Sequence, residues 1–98
     1  MEAVQNIENI EKIALVIKND SPSIVNIIDS KIEYLLIFNN KANIYLIGSK
    51  IKKIICADKI RYLHCYNSEV DVIPKIKCFK YGYYISETQK YIPNLDNE

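Results

Sequence analysis

A short apolar phrase, spaced apolar-x-x-apolar-x-apolar, recurs four times: Ile10-x-x-Ile13-x-Leu15, Ile32-x-x-Leu35-x-Ile37, Ile51-x-x-Ile54-x-Cys56 and Ile73-x-x-Ile76-x-Cys78. The phrases start 22, 19 and 22 residues apart. In an extended segment alternate side chains share a face, so the last two apolar positions point the same way and the first joins them from the preceding turn. One such row cannot leave water alone. Stacking one coil on the next buries the rows as a ladder and pairs the backbone between coils, so the period predicts a short repeat solenoid.

Between the phrases lie secondary apolar runs, Ile24-Val25-Asn26-Ile27-Ile28, Ile44-Tyr45-Leu46-Ile47 and Ile60-Arg61-Tyr62-Leu63-His64-Cys65. The Ile60 run repeats the phrase only nine residues after Ile51, too soon for another coil, so it must line a second side. Each coil then holds two extended segments joined by polar turns at Asn39-Asn40-Lys41, Gly48-Ser49-Lys50, Ala57-Asp58-Lys59 and Asn67-Ser68-Glu69. Ahead of the coils, Ile7, Ile10, Ile13, Ala14 and Ile17 satisfy helical spacing and predict a helix over about 4–18 that caps the open end of the stack. Asn19-Asp20-Ser21-Pro22-Ser23 ends it, because proline fixes its own backbone and pushes its predecessor out of the helical region.

The expected fold is mainly β. One domain spans 1–98, with an N-terminal cap over 1–22, repeat coils of about 19–22 residues over 23–85, and an irregular tail over 86–98 that frays from about 93. The alternative is an α+β antiparallel meander packed on the same helix. Composition favours strands in either case: Ile occurs 19 times against 6 Leu and 2 Gly, so the core is largely β-branched.

The net charge of +1 gives no global attraction to polyanions, but the charge is unevenly placed. Residues 1–29 carry five acids and two lysines, whereas residues 50–81 carry eight basic residues against Asp58, Glu69 and Asp71. No apolar run is long enough to span a membrane as a helix, and the acidic, amide-rich start lacks the order of a signal peptide, so the chain reads as soluble and intracellular with no membrane partner. Cys56, Cys65 and Cys78 are odd in number, lie in apolar phrases and form no C-x-x-C pair; they read as buried reduced thiols.

The phrases resemble a leucine-rich repeat, whose unit reads L-x-x-L-x-L/C-x-x-N. The stretch Ile60-Arg-Tyr-Leu63-His-Cys65-Tyr-Asn67-Ser-Glu-Val70-Asp-Val-Ile73-Pro74 also resembles the irregular, Ile- and Asn-rich leucine-rich-repeat-like proteins of giant DNA viruses and other AT-rich genomes. That resemblance implies a solenoid with an extended partner-binding face. The asparagine that such repeats bury at the turn corresponds to Asn40 in the second phrase, but to Lys18, Lys59 and Tyr81 in the others, which favours a degenerate solenoid over a regular horseshoe.

Catalytic chemistry finds little to use. His64 and Cys65 are adjacent, so on a strand they leave opposite faces and cannot share a proton. Glu69 and Asp71 share a face about 7 Å apart, which suits a solvated edge that deters strand pairing. No phosphate-binding glycine loop, cofactor motif or metal-ligand spacing is present, and the chain reads as no enzyme.

The positions that the grammar leaves outward are the candidate site. Glu33, Tyr34 and Leu36 follow one another in the second phrase, Lys52, Lys53 and Ile55 in the third, and Pro74, Lys75 and Lys77 in the fourth. Stacked, they predict a face for a protein partner with Tyr34, Leu36 and Ile55 as apolar anchors and Lys52, Lys53, Lys75 and Lys77 as its basic end. The alternative is single-stranded nucleic acid, since Lys52, Lys53, Lys59, Arg61, Lys75 and Lys77 interleave with Tyr45, Tyr62, Tyr66 and Tyr81. An uncapped last coil near Cys78 to Tyr84 also invites self-association.

Overall fold

The computed structural model describes residues 3–18, 20–38 and 41–95. It is a β-solenoid whose coils each contribute one strand to a long sheet and one to a short sheet. The strands are β1 (Ala3–Glu8), β2 (Glu11–Ile17), β3 (Ser23–Ile28), β4 (Lys31–Ile37), β5 (Ala42–Ile47), β6 (Lys50–Cys56), β7 (Ile60–Tyr66), β8 (Glu69–Val72), β9 (Phe79–Ile85) and β10 (Lys90–Pro93). The long sheet runs β1-β3-β5-β7-β9-β10 and the short sheet β2-β4-β6-β8. Every neighbouring pair is parallel except β9 with β10, which excludes the meander.

The core lies between the sheets as columns of like residues. From the long sheet Val25, Ile44 and Leu63 stand in one column, and Ile27, Leu46 and Cys65 in the next. From the short sheet come Ile32 and Ile51, Leu35 and Ile54, and Ile37 and Cys56. All of these except Cys56 are buried, and Phe79 closes the far end. The Ile60 run does form the second side, as β7 of the long sheet.

The expected N-terminal helix is not there. Residues 3–8 and 11–17 are β1 and β2, the first coil of the solenoid. Asn9 between them takes φ 54, a left-handed conformation that no helix interior contains. Helical spacing of the apolar residues is real, but the backbone of β3 and β4 offers parallel partners along both segments, and that pairing overrides local spacing.

Pairing also moves the first and last phrases. Lys12, Leu15 and Ile17 pair with Ile32, Leu35 and Ile37, so the first coil begins its inward row two residues after Ile10, and Ile13 is left 72% exposed. Ile51 pairs with Val70, three residues before Ile73. The Ile73 phrase instead leaves the sheet through Pro74 into a 3-10 turn at Ile76–Cys78. The paired rows are therefore 20, 19 and 19 residues apart.

A second periodic element, unread from the sequence, lies at the turn from the long to the short sheet. Asn9, Asp29, Gly48 and Asn67 occupy the same turn position with φ of 54, 48, 61 and 49. The next residues include Ser30, Ser49 and Ser68, and their hydroxyls tie the coils together. The N–H of Ile10 donates to Ser30 Oγ (3.2 Å), that of Ser30 to Ser49 Oγ (3.1 Å), and that of Ser49 to Ser68 Oγ (3.0 Å). Each hydroxyl passes its own hydrogen to a carbonyl, Ser30 to Ile28 O, Ser49 to Ile27 O and Ser68 to Tyr66 O. Glu87 ends the column by accepting from the Ser68 N–H at 3.0 Å.

The expected irregular tail contains structure too. β10 folds back antiparallel on β9 and covers its edge, so the last coil is closed on the long-sheet side. The close approach requires Gly82, where a Cβ would collide with the Ile92 carbonyl and the Pro93 Cα. Buried Asn94 then pins the strand by donating from Nδ2 to Phe79 O at 2.7 Å. The turn asparagines Asn39 and Asn40 lie outside the described residues.

Candidate functional site

The solenoid offers two outer faces. On the short sheet, the second and third x positions of the two middle phrases point away from the core and stand in columns with residues of the neighbouring coils. Ala14, Tyr34, Lys53 and Val72 form one outward column, and Val16, Leu36 and Ile55 another. Tyr34 is 37% and Ile55 42% exposed, while Leu36 is half-buried. Lys52 is exposed and lines a shallow hollow of about 220 Å³ with Lys31, Glu33, Lys50, Glu69 and Asp71.

Five of the seven expected site residues, Tyr34, Leu36, Lys52, Lys53 and Ile55, thus share one face. Lys75 and Lys77 do not join them, because they sit in the connection between β8 and β9 around the 3-10 turn. The short sheet's fourth coil presents Glu69, Asp71 and Val72 in their place, so its expected basic end carries mixed charge.

On the long sheet the outward column runs from Asn6 and Asn26 through Tyr45 and His64 to Tyr84, with Tyr91 opposite Tyr84 on β10. Asn26 Nδ2 donates to Asn6 Oδ1 at 2.8 Å, and Tyr45 and His64 continue the column by stacking, while Tyr84 meets Tyr66 and Tyr91 meets Tyr62 beside it. The His64 ring lies 4.2 Å from Tyr45 and nearly parallel to it (4°), and meets Tyr62 edge-on at 4.1 Å. Tyr66 stacks more loosely on His64 at 5.9 Å, with its hydroxyl 3.4 Å from Nδ1. Such pairs add roughly 0.5–1.5 kcal/mol each beyond the area they bury.

His64 is therefore the centre of an aromatic cluster rather than a plain surface histidine. Its burial among these rings lowers its pKa. Cys65 points inward, as strand alternation requires, and burial together with the Glu87 carboxylate pushes its thiol up to about 12. Cys56 is likewise pushed up to about 12, by burial first and then by the neighbouring Cys78 thiol and Asp58. All three cysteines are free thiols, and Cys56 and Cys65 are held in the protonated form at neutral pH.

The expected interleaving of lysines with tyrosines is divided by the fold. Lys52 and Lys53 face out from the short sheet, whereas Tyr45, Tyr62 and Tyr66 face out from the long one. Arg61 and Lys80 stay with the aromatics: the Arg61 guanidinium lies 5.9 Å and Lys80 Nζ 5.4 Å from the centre of the Tyr81 ring. Beside them Asn43, Arg61, Tyr62, Tyr81 and Tyr91 line an open cleft of about 380 Å³.

Sequence reasoning named Tyr45, Tyr62, Tyr66, Tyr81 and Arg61 but missed that His64, Tyr84 and Tyr91 join Tyr45 on this face, because that signal is a column, not a motif. Tyr45, His64 and Tyr84 are 19 and 20 residues apart, legible only once the coil length is known. Among the described residues no group of three or more His, Cys, Asp or Glu side chains is placed to hold a metal ion, and no helix is long and apolar enough to cross a membrane. No protein-family model matches the chain, and no curated protein or solved structure matches it.

Proposed function

We propose that the chain is a non-enzymatic binding module that docks a protein partner on the outer face of the short sheet, with Tyr34, Leu36 and Ile55 as apolar anchors and Lys52 and Lys53 at their border. One observation carries this reading. Of two adjacent outward columns on a parallel sheet, one holds Val16, Leu36 and Ile55 in succession and the other holds Tyr34 beside Leu36, with Lys53 between Tyr34 and Val72; all are exposed but Leu36. Contiguous apolar side chains framed by charge are the composition of a docking surface. The phrases at Ile32 and Ile51 keep leucine-rich-repeat spacing, and that likeness supports an extended strand face as the place where a partner lies.

The test is direct binding of a partner captured from cells and then purified. The wild-type chain should hold it with little loss as salt rises, since apolar contacts are not screened. The double variant Tyr34→Ala, Ile55→Asp leaves the core intact and should weaken binding by about tenfold or more. Undiminished binding by the folded double variant sinks the reading.

A further inference from the structure

The aromatic cleft on the opposite face asks for a different ligand. Tyr62 and Tyr91 meet at 68° with ring centres 5.4 Å apart, forming an angled wall rather than a flat patch. Arg61, Tyr81 and Asn43 complete the cleft. Along its border Lys41, Lys59 and Lys80 line a second hollow of about 330 Å³ with Asp58 as the single acid. Lys80 and Arg61 both reach over the Tyr81 ring, so that ring joins the two spaces.

These features select among ligand classes. A cationic ligand is disfavoured, because the electron-rich face of Tyr81 already has two cations over it. A neutral sugar would leave the lysine-lined border unused. Four basic residues against one acid call for a repeating anion, and angled tyrosines beside them call for unpaired planar groups that can enter and stack. A duplex keeps its base faces covered by its own stacking. Single-stranded nucleic acid supplies both charge and open base faces.

We propose that this cleft and its lysine border form a single-stranded nucleic-acid site, with bases stacking against Tyr62 and Tyr91 while the phosphates run past Lys59, Arg61 and Lys80. It is independent of the protein-docking face, which lies on the other sheet.

Fluorescence anisotropy with a labelled oligothymidylate of about twelve nucleotides, and with the corresponding duplex, tests it at about 50 and 200 mM salt. The single strand should bind more tightly than the duplex, with a log–log salt slope of about −2 to −3 for three or four neutralised phosphates, a loss of roughly twentyfold to fiftyfold over that range. Tyr62→Ala should weaken binding about fivefold or more while Tyr62→Phe retains it, because stacking needs the ring and not the hydroxyl. Lys59→Gln with Lys80→Gln keeps every ring and every ring–ring contact, so it reports on the site even if the alanine variant fails to fold; it should flatten the slope by about 0.7 per lysine. Lys52→Gln with Lys53→Gln, on the other sheet, should leave binding unchanged. The proposal is overturned by absence of binding at the lower salt, by equal affinity for the duplex, by indifference of a folded Tyr62→Ala variant, or by loss of binding on changing Lys52 and Lys53.

Discussion

Ser49 shows what one residue contributes to the stack. Its hydroxyl accepts from the buried Ser30 N–H of the preceding coil and donates to Ile27 O, so alanine there orphans a donor and an acceptor away from water. The expected cost is about 1–3 kcal/mol in urea denaturation, a large part of the stability of a small domain. Ser68→Ala should cost less, since Ser68 is only half-buried and water can reach the groups it leaves. His64 is the residue through which stability should feel pH. Burial holds its pKa below the ordinary 6.5, so the unfolded chain binds the proton more readily. Stability is then complete above about pH 6.5 and falls as pH drops from there through the lower folded value. Thermal melts at pH 7.5 and 5 should show the loss, and His64→Phe, which keeps a ring beside Tyr45 and Tyr62, should remove its His64 share. Equal pH dependence in wild type and variant would contradict this. The serine column was open to reading in Asp29-Ser30, Gly48-Ser49 and Asn67-Ser68, each 19 residues from the next, but a turn pair gains meaning only when coil length is fixed.

At the scale of the strand, register is the decisive quantity, since a shift of one residue reverses which side chains are dry. Ile54 is 3% exposed in the middle of the short sheet, and Ile13 lies outside the core at the first coil. Ile54→Asp should abolish cooperative folding by placing an unpaired charge in the core, and Ile54→Ala should cost about 2–5 kcal/mol. Ile13→Ser should stay within about 0.5 kcal/mol of wild type. Circular dichroism and denaturant melts of the three variants check the register; a large cost at Ile13 would mean that the first strand is placed wrongly. The middle two phrases were legible because both of their neighbours are coils of the same kind. The first was not, because its true inward row begins with Lys12, which loses to Ile10 on hydrophobicity alone. The last was not, because Pro74 removes a backbone donor and the chain leaves the sheet after only four residues of β8.

For the whole molecule the two ends pose the largest problem, because an open coil presents unpaired strand edges. At the C-terminal end β10, Gly82 and Asn94 cover the long sheet. At the N-terminal end the described chain has no helix, and polar residues take the inward positions instead: Gln5 stands in the column of Val25, and Lys12 in that of Ile32. Gln5→Val with Lys12→Ile should convert this end into an apolar surface that self-associates. Sedimentation velocity at rising concentration should show larger species for the double variant than for wild type, and identical profiles would remove the capping role. What the sequence by itself determined is the kind of object: a β-branched chain with a period near twenty residues and two apolar segments per period can bury its rows only by stacking. It also placed Tyr34, Leu36, Lys53 and Ile55 on one outward face, because strand alternation is local; Lys52 joins Lys53 there through the irregular step between Ile51 and Lys53 in the pairing. Only the tertiary structure decided the register of the end coils, the choice of strand over helix at the start, and the meeting of Tyr45, His64 and Tyr84. Each of those depends on which backbone lies alongside, and that is settled when all the coils pair at once.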